Sequence, residues 1–289
     1  MKELISKGST SLIYKVTEID RIYVQKVLDS RVNTREIISV ETAYKKEVKA
    51  LKAVTHRNII GLIDHEQLSP SEFSITLTFC AGGSLFSLLH RSNFPSLSLK
   101  HKKKMFADII GAVHALHSLK DPLIHADIKS LNLLLVSSVS REDSVPWLKL
   151  CDFGSSRFES ETPSNGTVTV GTMQWMPPEV IEGDPPGTAA DIYSIGIVFQ
   201  EIVYRKIPFD QVKENLIMGM VLRGERPMHH PQLLERDKLA NIIPIIDDCL
   251  SQKPEKRPSI DELEDRINEL FIHTGVSSSF TSISSTSVP

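Results

Sequence analysis

Cysteine is scarce in this chain: Cys80, Cys151 and Cys249 are the whole supply, odd in number and far apart. Such spacing excludes a disulfide framework and a zinc knuckle, and it fits a reducing compartment. Excess charge of one sign is also nearly absent, at −3 over 289 residues. A general polyanion binder is therefore excluded, and no nucleic-acid partner is expected. No apolar run approaches the roughly 20 residues that span a bilayer, so no membrane span is expected. The opening MKELISKGST lacks the long apolar region of a signal peptide. The expected location is the cytosol, with the nucleus also open. There is no internal repeat.

What is present is an ordinary globular composition, 40% hydrophobic and 24% charged, on a length that suits one large domain or two lobes. Apolar and polar residues alternate through LIYKV and IYVQKVL within residues 1–28, with a turn near Glu18 to Arg21, which predicts antiparallel strands. A helix is expected over Arg35 to Val54, then short strands at Ile60 to Asp64 and Phe73 to Phe79. The two glycines of CAGGSL, residues 80–85, break this pattern and mark a lobe boundary. Beyond it helices are expected at Leu99 to Leu119, Ala189 to Tyr204, Val212 to Leu222, Ile242 to Leu250 and Ile260 to Phe271. Residues 123–170 read as short strands and a long loop. The cluster Lys100 to Lys104 in LKHKKKMF opens an amphipathic pattern and reads as the solvated face of a helix. From Thr274 the chain is rich in Ser and Thr with little to bury, as in a disordered tail.

Residues 123–135 read LIHADIKSLNLLL. An Asp or Asn in a loop is by itself most often a turn former or cap. Here His125, Asp127, Lys129 and Asn132 are followed in order by CDFGSSR from Cys151, GTMQWMPPEV from Gly171, DIYSIG from Asp191 and RPS from Arg257. In this order and spacing the chain resembles the protein kinase family, from Ile5 to about Ile272. HADIKSLN matches the H-R-D-L-x-x-x-N catalytic loop except at Ala126, DFG matches outright, and PPE at 177–179 stands for A-P-E.

The resemblance implies an α+β fold with a β-rich N-lobe, residues 1–79 with one helix, and a hinge at residues 80–83. A larger, mainly helical C-lobe would run from residue 84 to 273, followed by the tail at 274–289. ATP and Mg²⁺ are the implied cofactors. Phosphoryl transfer needs an oriented nucleotide, neutralised charge and a hydroxyl aimed in line. Asp127 would accept the acceptor hydroxyl's proton, and Lys129 would neutralise charge on the moving group. Asn132 and Asp152 offer the hard oxygen ligands that suit Mg²⁺. Lys26, ending YVQK, would meet the α and β phosphates, with Glu47 as its ion-pair partner. Ser6, Lys7, Gly8, Ser9, Ser11 and Ile13 would form the phosphate-covering loop. Leu77 stands at the gatekeeper position, and Cys80 opens the hinge that meets adenine. Asp191 would hold the catalytic loop by backbone N–H bonds, and Glu179 would pair with Arg257. Cys151 reads as a small buried hydrophobe, with a reactive thiol facing the nucleotide as the alternative.

Three departures from the family pattern carry expectations. Ser6 and Ser11 replace glycines; serine keeps the backbone N–H that contacts phosphate but loses easy access to positive φ, so a stiffer loop that grips ATP less closely is expected. Thr78 replaces an acidic residue after the gatekeeper. Ala126 replaces the arginine that binds an activation-segment phosphate in most regulated kinases, leaving Arg157 as a stand-in partner. Lys129 and Thr172 favour a Ser/Thr kinase. AGGSLFSLLH, LKLCDFG and QWMPPEV look most like the tyrosine-kinase-like group, nearest the MAP kinase kinase kinases of the TGF-β-activated kinase branch. That likeness implies protein substrates, MAP kinase kinases among them, and an adaptor protein. The rivals are a pseudokinase acting as scaffold and a small-molecule kinase of related fold.

Overall fold

The computed structural model describes residues 1–8, 11–29, 37–91, 97–139, 144–161, 173–234 and 239–273. Three strands open the chain, β1 (Lys2–Lys7), β2 (Ser11–Thr17) and β3 (Ile22–Asp29). The β2–β3 turn is closed by Glu18, whose amide donates to the Arg21 carbonyl at 2.9 Å and whose carboxylate accepts from Arg21 and Tyr23. Helix α1 (Ile37–Ala53) follows, then β4 (Leu62–Ser69) and β5 (Glu72–Thr78). The five strands form one antiparallel sheet in the order β1-β2-β3-β5-β4. Strand β4 runs longer than its apolar pattern suggests, because its pairing with β5 continues through Glu66, Gln67 and Ser69.

The sheet's register does the first work of positioning. Ser6 pairs with Ile13, Ile13 with Lys26, and Lys26 with Ile75. Directly opposed residues share a face, so one row across the sheet carries Ser6, Ile13 and Lys26 together. Val24 and Leu62 likewise oppose Leu77 from both sides.

The second lobe is built on helices α2 (Leu85–His90), α3 (Leu99–His117), α4 (Pro178–Glu182), α5 (Thr188–Tyr204), α6 (Glu214–Leu222), α7 (Ile242–Cys249) and α8 (Ile260–His273). Two small two-stranded antiparallel sheets lie between them, β6 (Leu123–Ile124) with β9 (Arg157–Phe158), and β7 (Leu133–Leu135) with β8 (Leu148–Leu150). Helix α5 is buried along almost its whole length, as expected of a helix apolar on every side. Phe199 of α5 meets Phe106 of α3 with ring centroids 4.3 Å apart. Gly196 lets α7 approach, since a Cβ there would stand 2.8 Å from the Cys249 Cβ. The bilobal α+β arrangement is thus the one the resemblance implies. The Ser/Thr-rich tail falls outside the described residues.

One expectation is corrected here. The basic cluster at the start of α3 is not a solvated face, because Lys102 and Lys104 are only 5% and 8% exposed. Lys104 pairs with Asp108 one turn on, and the Asp108 carboxylate also accepts the Leu148 amide at 2.9 Å. Lys102 reaches the Val203 carbonyl at 3.4 Å. Their long stems lie on apolar neighbours while their ends find oxygen, which pattern reading counts as surface.

Candidate active site

Lys26 projects from β3, and its ammonium meets both oxygens of Glu47, from α1, at 2.8 and 2.9 Å. The same nitrogen reaches Asp152 Oδ1 at 2.8 Å, so three elements distant in sequence meet at one charge. Burial works against the Lys26 charge, but the carboxylates of Glu47 and Asp152 outweigh it and raise its pKa. Burial raises the Glu47 pKa, and Lys26 offsets only part of this. At Asp152 burial also acts upward, yet Lys26 prevails and holds the carboxyl below its ordinary value.

Below this contact runs the segment from His125 to Asn132. Asp127 accepts from Lys129 Nζ at 2.9 and 2.8 Å, and from Asn132 Nδ2 at 2.9 Å. Both partners come from the same loop, which turns back on itself where the Asn132 amide donates to the Lys129 carbonyl at 2.9 Å. His125 is fully buried. It donates through Nε2 to the Cys151 carbonyl at 3.1 Å and accepts the Asp127 amide at Nδ1 at 3.3 Å. Its ring packs edge-on to Phe153 at 4.9 Å, joining this loop to the Asp152 turn. Asp191 at the start of α5 accepts the amides of His125 and Ala126 at 2.9 Å each, and His117 adds a third contact at 2.9 Å. Ala126 and Asp152 both have left-handed backbone, φ 61 and φ 67. That conformation is strained for residues other than glycine, and here the surrounding hydrogen bonds hold it.

Ser6 and Lys7 end β1, Gly8 follows it, and Ser11 and Ile13 begin β2; the turn is closed by the Gly8 amide donating to the Ser11 carbonyl at 2.8 Å. Ser9 lies outside the described residues. Neither Ser6 nor Ser11 has left-handed backbone, and neither does Gly8. The strand pairing itself asks for no conformation that serine resists. Leu77 is buried between β3 and β4. Thr78, in place of an acidic residue, accepts the Gly61 amide at 3.1 Å through its hydroxyl. The Ala81 and Gly82 amides are taken by the carbonyls of Val136 and Leu135 at 3.1 and 2.9 Å, so neither is open to a base. A Cβ on Gly82 would lie 2.4 Å from the Ser137 carbonyl oxygen, so only glycine permits that approach. Cys151 is half-buried, and burial of its thiol pushes its pKa well up, which favours the hydrophobe reading over a reactive thiol.

A comparison with protein families matches residues 1–266 to the protein kinase domain. The chain belongs to the protein kinase family. Among its relatives, an RGS domain-containing serine/threonine-protein kinase A of Dictyostelium discoideum is 31% identical over 98% of this chain. The serine/threonine-protein kinase CTR1 of Arabidopsis thaliana is 28% identical over 94% of it. Mitogen-activated protein kinase kinase kinase 7 of Drosophila melanogaster is 31% identical over 93%. The match spans 23%, 31% and 37% of those proteins' own lengths. These relatives fit the tyrosine-kinase-like resemblance that the short motifs carry.

The structure also brings in residues that motif reading missed. Glu201, wholly buried in α5, accepts from Ser130 Oγ at 2.8 Å, Trp175 Nε1 at 2.7 Å and His90 Nε2 at 3.0 Å. It thereby ties the catalytic-loop segment, the turn Met173–Trp175 and α2 to one helix. An acidic residue near the end of the mostly apolar helix α5 was its only signal. The pair of Arg257 with Glu179, which the motifs had implied, is formed with both contacts at 2.7 Å, and Arg257 also donates to the carbonyls of Ser251 and Ala189. Arg157 is not free to replace the missing arginine, since its guanidinium donates to the carbonyls of Pro186, Glu159 and Glu161.

For a metal ion, the described residues hold no group of three or more His, Cys, Asp or Glu side chains able to bind one. Asp152 and Asn132 supply two hard oxygen donors, a set that fits a Mg²⁺ ion completing its shell with water and phosphate oxygens.

Proposed function

We propose that this domain is an ATP-dependent, Mg²⁺-requiring protein serine/threonine kinase. The observation that carries the reading is the joint presence of two formed clusters, Lys26 with Glu47 and Asp152, and Asp127 with Lys129 and Asn132. Lys26 would hold the nucleotide's α and β phosphates, kept in place by Glu47. Asp127 would orient the acceptor hydroxyl and take its proton, and Lys129 would neutralise charge as the phosphoryl group moves. Asn132 and Asp152 would bind the metal, which neutralises charge on the phosphate oxygens when present. Cys80 would meet adenine through its main chain.

Protein acceptors, MAP kinase kinases among them, are proposed on the printed name of the Drosophila relative and on the tyrosine-kinase-like resemblance. An adaptor partner is proposed on that resemblance alone. A cytosolic location, with the nucleus also open, rests on the three unpaired cysteines. The scaffold alternative draws its support from Ala126 and from Ser6 and Ser11 in the loop, whose backbone is ordinary for a strand.

The test is phosphate transfer from labelled ATP with Mg²⁺ to a generic protein acceptor, beside Asp127→Asn. Incorporation on Ser or Thr that falls by about a hundredfold or more in the variant is the expected result. Nucleotide binding without any transfer would overturn the reading in favour of a scaffold.

A further inference from the structure

Helix α1 carries Glu47, and where the helix sits decides whether that buried carboxylate meets Lys26. Two lysines that bracket Glu47 in sequence reach instead for the segment that follows Asp152. Lys46 donates to the Ser155 carbonyl at 3.3 Å. Lys49 meets Glu161 Oε1 at 2.6 Å, and its ammonium also lies 4.5 Å from the centre of the Phe158 ring.

That segment is itself fixed to the second lobe. Phe158 and Arg157 of β9 pair with Leu123 and Ile124 of β6, and the Glu159 amide donates to the Pro122 carbonyl at 2.8 Å. Ser160 donates to Asp121 from its amide at 3.1 Å and its hydroxyl at 2.6 Å, and Arg157 donates to the Pro186 carbonyl at 2.9 Å. The ion pair of Lys49 with Glu161 is therefore a polar strut between α1 and a strand anchored in the other lobe.

The Glu161 carboxylate is prepared for that part. Its Oε2 accepts the Phe158 amide at 3.1 Å, which fixes its direction, and Arg157 donates to the Glu161 main-chain carbonyl. Burial acts upward on its pKa, but Lys49 and the Phe158 amide outweigh it and hold the carboxyl below its ordinary value. The Lys49 side chain is 60% exposed and that of Glu161 35%, so water weakens the pair and its loss is worth only a few-fold in an equilibrium.

We propose that Glu161 is a positioning residue of the kinase site, a built-in anion that holds α1, through Lys49, where Glu47 meets Lys26, with no phosphate needed for that contact. This role rests on the kinase reading of Lys26 and Glu47.

Phosphatase-treated full chain is compared with Glu161→Gln, Glu161→Lys and the swap that combines Lys49→Glu with Glu161→Lys, each first shown to unfold cooperatively. The readouts are initial rates of phosphate transfer and, with no nucleotide present, hydrogen exchange of the α1 amides by mass spectrometry. Glu161→Gln is expected to lower the rate about fivefold, the weight of one exposed pair. Glu161→Lys should lower it about twentyfold, because it also sets a third cation beside Lys46 and Lys49. Exchange in α1 should quicken in the same order, and the swap should bring both readouts back to within about threefold of the parent. The gap between parent and Glu161→Gln should narrow as salt rises from about 0.05 to 0.5 M, which a loss of packing would not do. Unchanged α1 exchange in both single variants, or a swap no better than Glu161→Lys, would overturn the proposal. If the parent transfers no phosphate, the kinase reading fails, and the α1 exchange alone then decides whether Glu161 holds the helix.

Discussion

Lys26 and Glu47 form an ion pair 2.8 Å apart in which the glutamate is only 2% exposed, so removing the lysine strands a buried carboxylate. Replacing Lys26 by Met removes the cation that would hold the nucleotide, and transfer should fall by about 10²–10³-fold. It also leaves a buried carboxylate, at a cost of about 3–5 kcal/mol. Adding Glu47→Gln to Lys26→Met should recover much of that stability and none of the activity. Urea denaturation and initial rates on the single and double variants measure both. A double variant as unstable as Lys26→Met would show that the pair does not carry the cost.

Glu201 offers a test that depends on pH. Burial raises its pKa above the ordinary value of 4.5. A carboxyl raised in the folded state stabilises the fold fully below its unfolded pKa, and that contribution is lost as pH rises through the folded value. Glu201→Gln has no such titration. The stability advantage of the parent over the variant should therefore shrink as pH is raised from about 4.5 toward 7.5. Because Ser130 and Trp175 share this carboxylate, the variant should also show a raised KM for the protein acceptor with ATP affinity kept. A stability difference that stays constant across the pH range would refute the assignment.

Glycine restored at Ser6 and Ser11 should not improve nucleotide use. Both serines sit in ordinary strand backbone, and Ser11 is buried. The double variant should keep its KM for ATP within about twofold and lose about 1–2 kcal/mol of stability, since each glycine in a strand costs about 0.5–1 kcal/mol. A KM several-fold lower would mean that the loop is held back by serine after all.

Dephosphorylation should matter little. Ala126 offers no charge to a phosphate, and Arg157 is committed to main-chain carbonyls. Ser156 is buried and donates to the Phe153 carbonyl at 2.6 Å, while Ser160 donates to Asp121 at 2.6 Å, where a phosphate would meet a carboxylate. Thr162, Ser164, Thr167 and Thr169 lie outside the described residues. Phosphatase-treated protein should keep its initial rate to within about tenfold, equivalent to roughly 1.4 kcal/mol. A hundredfold loss would sink the expectation.

Much was legible from the chain alone. Strand alternation, helical period and the glycine pair at CAGGSL are local signals, and they placed the sheet and the long helices within a few residues. Short elements were not separately visible: α2 has six residues and α4 five, too few to show a period. The motif order named Lys26, Glu47, Asp127, Lys129, Asn132 and Asp152, because their chemistry demands fixed residue types at fixed spacing.

What only the tertiary structure decided is where long polar side chains end. Lys102 and Lys104 look like surface in the pattern, yet their partners include Val203, about a hundred residues away, and an Asp108 that also holds Leu148. Glu201 looks like one charge in a helix, and it becomes an anchor because Ser130, Trp175 and His90 converge on it from three other segments. The conformation of Ser6 and Ser11 was likewise set by pairing across the sheet rather than by residue type. Periodicity reports which face of an element avoids water. It carries no record of which distant donor or acceptor that face will meet, and a buried charge is tolerated or not according to that partner.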